Sequence, residues 1–168
     1  KEDRQTGDLS PAEEKIVEAG KSFGMKLFRE INQAQPDSSI FISPLSVSMA
    51  LGMTMNGADG QTWQDMKETL EFNGLTEEEI NQAYRDLMTL LPAMDEKVLF
   101  EIANSIWYRD GFPVEEDFLT ANTEYFDAMV EALDFNDPAS VDIINGWVAE
   151  KTHDKIETII QQIDPMTI

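Results

Sequence analysis

The chain has 168 residues, of which 42% are hydrophobic and 27% charged, so it is long enough to bury a core. Its 33 acidic residues outnumber the 12 basic ones and give a net charge of −21 at pH 7, which argues against nucleic acid and anionic membranes as partners. It contains no cysteine, which excludes disulfides and thiol catalysis, and no apolar run is long enough to cross a bilayer.

The first predicted element is a long amphipathic helix that follows a polar arm. Residues 1–12 are predominantly polar and predict a flexible N-terminal arm. From Ala12 to Gln33, apolar residues recur at helical spacing along one face. These residues are Ile16, Phe23, Leu27, Phe28 and Ile31.

A short strand that runs directly into a buried helix is predicted next. The apolar run Ile40–Ile42 predicts a buried strand. Ser43 is placed to cap the following helix, and Pro44 suits the first helical position, where its missing N–H costs nothing. The helix continues to Met55 with apolar residues on all sides, which is typical of a helix enclosed by protein.

Two further helices are predicted before the pattern changes. The first covers Thr62 to Leu70, and the glycines ahead of it indicate a turn between helices. In the second, Thr76 and Glu79 have the spacing of a capping box, and Pro92 ends the helix.

From residue 98 onward, strands and helices alternate. A strand rich in β-branched and aromatic residues is predicted over Val98–Tyr108, followed by a helix over Phe112–Phe126. A second strand is predicted over Met129–Phe135, and a helix begins at Asp137–Pro138 and reaches Ile156. No linker rich in Gly, Ser or Pro divides the chain, so these elements predict one α+β unit.

Several blocks of this sequence resemble those of serpins, the serine protease inhibitor superfamily. The blocks are Ser39–Leu51 with Asn56–Thr62, Ile102–Trp107, Tyr125–Ala128 with Leu133–Phe135, and Ile144–Val148 with Thr152 and Lys155–Ile156. Their order and spacing are similar to the serpin pattern from about residue 15 onward. Residues 1–168 are therefore identified as the N-terminal part of a single serpin domain, and the composition favours a prokaryotic or intracellular member.

The resemblance implies a serpin-like fold that is incomplete without a C-terminal portion. The chain ends at Ile168, just before another strand of the large central sheet is expected. The reactive-centre loop would lie in the missing portion, so no reactive bond is expected in this chain. Because unpaired strand edges and apolar faces would otherwise be exposed, we expect a companion C-terminal polypeptide.

The function that the resemblance implies is protease inhibition, and not enzymatic catalysis. In serpins, a serine or cysteine protease cleaves the reactive-centre loop, and the loop inserts into the central sheet before the acyl-enzyme hydrolyses. The inhibitor is thus a suicide substrate whose native fold is metastable. Two alternatives stay open: a non-inhibitory serpin with a carrier, chaperone or storage role, and an acidic protein-interaction module outside the family.

The resemblance also implies which residues control the opening of the sheet. One group belongs to the family's shutter or to the adjoining strand block: Ser43, Pro44, Ser46 and Asn104. The other group matches the helix that lies across the sheet and must shift during insertion: Asn145, Trp147, Thr152 and Lys155. Plain helix capping explains the serines of the first group equally well.

Patterns for catalysis or metal binding are lacking in this sequence. His153 is the single histidine, and no nucleophile motif accompanies it, so it is predicted to be a surface residue. The segment Asp134–Pro138 begins like a calcium loop, but Pro138 occupies a ligand position and no glutamate closes the loop. We therefore expect no cofactor and no metal, and predict a strand end and a helix cap at this segment.

Partners and location follow from the charge and from the start of the chain. Some serpins bind glycosaminoglycans through a basic helix at the position that follows residue 76, but here Arg85 is the only cation of that helix. Its acidic residues are Glu77, Glu78, Glu79 and Asp86. Heparin binding is therefore not expected. The polar start predicts no signal peptide within this chain, and the predicted location is secreted, periplasmic or cell-surface, with an intracellular location as the alternative.

Overall fold

The computed structural model describes residues 9–164 and 166–168, and these contain six helices and two strands. In chain order they are α1 (Pro11–Ala34), α2 (Pro44–Met55), α3 (Gly60–Thr69), α4 (Glu77–Ala93), β1 (Ser105–Arg109), α5 (Glu116–Phe126), β2 (Met129–Leu133) and α6 (Ala139–Lys151). Residues 1–8 of the predicted arm lie outside the described residues, and α1 already begins at Pro11.

The predicted helix caps are confirmed. The Ser43 hydroxyl accepts a hydrogen bond from the backbone N–H of Ser46, which starts α2. At the start of α4, the Thr76 hydroxyl accepts from the Glu79 N–H at 3.2 Å, and the Glu79 carboxylate accepts from the Thr76 N–H at 2.7 Å. Because the backbone and hydroxyl of Thr76 donate to this carboxylate, the pKa of Glu79 is lowered.

The main core forms around an aromatic stack that joins three helices. Tyr84 of α4 is buried, and its ring lies 5.9 Å from Phe72 and 5.3 Å from Phe126, measured between centroids. Burial raises the pKa of the Tyr84 phenol, whereas a hydrogen bond with Ser48 acts in the opposite direction. Gly52 of α2 packs directly on this stack, since a Cβ there would lie 3.2 Å from the Tyr84 ring.

A chain of asparagine side chains ties the same helices together at one end. The Asn81 amide of α4 donates to Asn56, at the end of α2, over 2.9 Å. Asn56 in turn donates to Asn122 of α5 over 3.3 Å, and Asn122 donates to the Phe118 carbonyl over 2.9 Å. Asn81 and Asn122 are both buried, so these bonds satisfy groups that would be costly to leave unpaired.

The two strands form a parallel pair. Ser105 is paired with Met129, and the register continues to Arg109 and Leu133. Parallel neighbours need a crossover connection, and α5 supplies it between the strands. Asp127 adopts a left-handed conformation with φ of 47°, which ends α5 and turns the chain into β2.

Helix α6 and the segment after it form a second apolar cluster with the sheet. Trp147 of α6 packs edge-on against Trp107 of β1, with 6.1 Å between ring centroids. The members of the cluster are Leu133, Phe135 and Ile144, with Trp107, Ile160 and Ile163 packed against them. Asp137 accepts from the N–H of Ala139 at 2.9 Å, so the segment before α6 is a strand end and helix start, as predicted.

The predicted strands are longer than the observed ones. Ile40–Ile42 is not a strand, and Phe41 is fully exposed, because a strand needs hydrogen-bonding partners and none of the described segments supplies them here. For the same reason, residues 98–104 are extended but unpaired, and only the five residues opposite β2 form β1.

Three helix predictions also need correction. Helix α2 is not enclosed on all sides, because Ser46, Ala50 and Thr54, spaced four residues apart, form an exposed stripe. Helix α5 begins at Glu116, since the residue preceding Pro113 disfavours a helical backbone. Helix α6 ends at Lys151 and does not reach Ile156, because the chain turns into a left-handed conformation.

Replacing Gly52 with alanine tests the aromatic core. The added methyl group would press on the rings of Tyr84 and Phe126, so we expect Gly52→Ala to destabilise the protein by about 1–3 kcal/mol. The matched control is Gly20→Ala in α1, where a Cβ meets no atom within 4 Å, and there we expect stabilisation by about 0.4–1 kcal/mol. Urea denaturation midpoints measure both effects, and equal shifts in the two variants would contradict this account.

Candidate functional site

A groove of about 640 Å³ lies between the start of α2 and the extended segment before β1. Its walls comprise residues 42–46 with Met49, Ala50 and Met53 on one side and residues 100–105 on the other. The four shutter and strand-block residues predicted from the sequence all line this groove: Ser43, Pro44, Ser46 and Asn104. The structure therefore brings these predicted residues together.

Two serine hydroxyls lie at the rim of the groove. The Oγ atoms of Ser43 and Ser46 are 2.8 Å apart and hydrogen-bonded, and both residues are exposed. Pro44 packs on α1, because a Cβ at Gly24 would lie only 3.0 Å from the Pro44 Cβ. The close approach of α1 therefore fixes the first turn of α2, while its hydroxyls remain accessible at the groove.

Asn104 joins four elements at the inner end of the groove. Its side-chain amide donates to the Phe126 carbonyl at the end of α5 over 2.8 Å and contacts the Met88 sulfur of α4 at 3.8 Å. Its backbone carbonyl accepts from the N–H of Met129, the first residue of β2, over 3.0 Å. Asn104 thus fixes the point at which the extended segment enters β1.

The second predicted group lies on α6 and just beyond it. The Asn145 side chain accepts from the N–H groups of Ile159 and Ile160 at 2.9 and 3.2 Å and donates to the Ile160 carbonyl at 2.9 Å. Asn145 therefore holds the segment that follows α6 against the helix. Trp147 connects α6 to β1 through its contact with Trp107.

Thr152 and Lys155 belong to the turn after α6, and not to the helix as predicted. The Thr152 hydroxyl donates to the Val148 carbonyl over 2.7 Å and accepts from the Ile156 N–H over 3.0 Å, which closes the turn. The Lys155 backbone bonds to the Thr152 carbonyl over 3.0 Å, and its side chain is exposed. The structure gives Lys155 a place in this turn but assigns its side chain no contact.

The two groups lie apart, and the segment leading into β1 connects them. Asn104 precedes this strand and Trp107 lies within it. A contact that the sequence analysis did not anticipate adds a second connection: His153, after α6, lies 2.7 Å from Glu101 on the groove wall. As predicted, His153 is a surface residue, but no sequence signal links residues 52 positions apart.

Apolar side chains surround the mouth of the groove. Phe41 is fully exposed, and Leu99 is 78% exposed. Val98 and Phe100 beside it are also exposed. Several large apolar residues this close together are unusual on a free protein surface and are typical of an interface with other polypeptide.

The carboxylates near residue 134 have roles in local structure. Asp134 accepts from the N–H of Asn136 at 2.9 Å, and its backbone carbonyl accepts from the Ser140 hydroxyl at 2.7 Å. In residues 9–164 and 166–168, no group of three or more His, Cys, Asp or Glu side chains is arranged to hold a metal ion. Within the same residues, no helix has the length and apolar character to cross a membrane.

Comparison with known proteins assigns this arrangement to a family. The sequence model described as Serpin (serine protease inhibitor) matches residues 18–168. The chain belongs to the serpin family. Serpins are generally protease inhibitors, and not enzymes, and their homologues are often secreted or extracellular.

Relatives and solved structures agree with this assignment. The chain is 32% identical to Iripin-3 of Ixodes ricinus over 92% of its own length and 40% of that protein. It is 32% identical to glia-derived nexin of Rattus norvegicus over 86% of its own length and 36% of that protein. This serpin chain therefore spans about 40% of the relatives that it matches.

The fold is also that of solved serpins. The latent-state crystal structure of the thermophilic serpin tengpin gives a TM-score of 0.81 at 34% identity, covering 95% of this chain and 42% of tengpin. Reactive-loop-cleaved human thyroxine-binding globulin gives a TM-score of 0.84 at 29% identity, covering 93% of this chain and 47% of that one. The expectation of an incomplete serpin-like fold is confirmed.

Substitution of Asn145 tests its role in this site. Because Asn145→Ala removes three hydrogen bonds to residues 159–160, we expect a loss of about 1–3 kcal/mol of stability. Lys155→Ala is the matched control on the same part of the chain, with an expected effect within about 0.5 kcal/mol, as for ordinary surface changes. Urea denaturation measures both, and an Asn145→Ala variant as stable as the control would rule out this tie.

Proposed function

We propose that the complete protein inhibits a serine or cysteine protease as a suicide substrate. The protease nucleophile attacks the carbonyl carbon of a scissile bond in the C-terminal portion, the C–N bond breaks, and the amine leaves with a proton. An ester or thioester then joins the two proteins. The reactive-centre loop inserts into the sheet before water attacks this bond, and the protease stays trapped. Family membership supports this proposal.

The feature of this chain that carries the proposal is the open side of β1. Among the described residues, β1 pairs with β2 alone, so its other edge offers unpaired backbone groups. The groove at its start is lined by small hydroxyls and apolar side chains. Such an edge accepts a further strand, and strand addition is the source of energy in this mechanism.

The attachment of α6 also suits a helix that must shift. Its direct contact with β1 is a single pair of half-buried tryptophans, Trp107 and Trp147. Ile143 on the same helix is 45% exposed, although it is apolar. A small, partly exposed interface costs less to separate than a fully buried one, because the cost scales with the apolar area that returns to water.

We also propose that a companion C-terminal polypeptide completes the fold. The exposed apolar residues at the mouth of the groove, Phe41 and Leu99 among them, support this, as does the open edge of β1. The companion would cover these surfaces and supply the remaining strands of the sheet. In the same proposal, the protein is secreted, periplasmic or displayed at the cell surface.

A binding role independent of heparin is proposed from the acidic surface of α4. Protease nexin-1 has been crystallised with heparin, and that structure covers 87% of this chain at a TM-score of 0.75. In this serpin the first turn of α4 consists of three glutamates, Glu77, Glu78 and Glu79, so a polyanion would be repelled.

The second candidate function is a non-inhibitory carrier. Thyroxine-binding globulin, named for the hormone that it binds, gives a higher TM-score with this chain than tengpin does. A carrier shares this half of the fold but does not need rapid loop insertion.

The deciding experiment is incubation of the complete protein with trypsin, chymotrypsin, elastase, subtilisin and papain, followed by denaturing electrophoresis. We expect a covalent complex with at least one protease, whose rate of formation is unchanged by added heparin. The control is the same protease with its nucleophile replaced by alanine, which should give no complex. Cleavage without a complex for every protease would favour the carrier.

A pair of capping variants tests the shutter role of Ser43. Ser43→Ala and Thr76→Ala each remove the hydroxyl that caps a helix, at a cost of about 1 kcal/mol. Only Ser43 lines the groove, so we expect Ser43→Ala alone to change the number of inhibitor molecules consumed per trapped protease, by about two- to fivefold. Equal changes in both variants would indicate that only stability matters.

A further inference from the structure

The contact between His153 and Glu101 joins α6 to the groove wall. The Nε2 atom of His153 lies 2.7 Å from a carboxylate oxygen of Glu101. Glu101 lines the groove, and His153 is the second residue after α6. The side chains are 61% and 49% exposed, so both groups exchange protons freely with solvent.

The turn that carries His153 is held in an unusual backbone conformation. His153 and Asp154 both have positive φ, 51° and 58°, which L-residues seldom adopt. Backbone bonds retain it: the His153 N–H donates to the Glu150 carbonyl at 3.2 Å, and the Asp154 N–H donates to the Ala149 carbonyl at 2.8 Å. The imidazole is therefore presented to Glu101 from a fixed turn, and not from a mobile end.

We propose that His153 and Glu101 form a pH-dependent tie that holds the end of α6 to the groove wall. An imidazole loses its charge near pH 6.5 in ordinary surroundings, so the contact is an ion pair in acid and a neutral hydrogen bond above neutrality. The tie is strongest at low pH and weakens as the pH rises.

Other charged groups near the tie keep their charge over this range. They come from α6 and its turn and from the segment that precedes Glu101: Glu150, Lys151, Asp154, Lys155, Asp95, Glu96 and Lys97. Ordinary carboxylates and ammonium groups hold their charge between about pH 5.5 and 8. Among the groups of these two elements, His153 is therefore the one that switches.

The tie has a functional consequence, which rests on the proposed inhibitory function. If α6 must shift for a strand to insert beside β1, then acid slows insertion by holding the helix end. The inhibitor would trap its protease faster near neutral pH than in acid.

A double-mutant cycle on the complete protein tests the tie without any protease. Wild type, His153→Gln, Glu101→Gln and the double variant are unfolded in urea near pH 5.5 and near pH 8, and tryptophan fluorescence, to which the Trp107–Trp147 pair contributes, gives the unfolding rates. We expect the product of the single-variant rates, divided by the product of the other two, to be about two- to fivefold in acid and about one at pH 8.

The control cycle uses the exposed pair Lys21 and Glu18 of α1, which are 3.0 Å apart and contain no imidazole. Its coupling should be the same at both pH values. A His153–Glu101 coupling that is absent in acid, or equal at both pH values, would overturn the tie. Since covalent trapping is measured separately, that result would leave the inhibitory proposal standing, and failure to trap any protease would leave the tie standing.

Discussion

The packing of α2 on the aromatic stack is the interaction on which the rest of this structure depends. Gly52 allows α2 to approach Tyr84 and Phe126 so closely that α4 and α5 meet at one point. Because the end of α5 then receives the amide of Asn104, the same packing sets where β1 begins. The groove is the space left between the start of α2 and that strand entry, so its walls are positioned by the core and not by loops.

Two kinds of attachment divide the molecule. The helices α1, α2, α4 and α5 share a continuous buried core, whereas α6 contacts β1 through one aromatic pair and a small cluster. Apolar burial is the larger source of stability, and so the first group forms a rigid base. Polar contacts hold the chain around α6: Asn145 with the following segment, and Thr152 within the turn. Polar contacts can break and reform with little net cost, because water replaces them.

Local features were predictable from the sequence, and features that depend on distant partners were not. The caps at Ser43 and Thr76 were correctly predicted because each involves residues three positions apart. The strand at Ile40–Ile42 was wrong because composition indicates strand propensity but not whether a partner exists. The early end of α6 depends on the left-handed turn at His153, a conformation that its sequence does not announce. Resemblance to a family located the groove residues, which periodicity alone would have left as helix caps.

The contact between Gly24 and Pro44 shows how the groove can be changed from outside. Gly24 lies in the middle of α1 and does not line the groove, yet its missing side chain gives Pro44 the room that it occupies. Any larger residue at position 24 would push the first turn of α2 away from α1, toward the segment before β1. The width of the gap under the sheet is thus inherited through a glycine in a neighbouring helix, and variation there could tune the timing of the trap while every residue of the groove stayed the same.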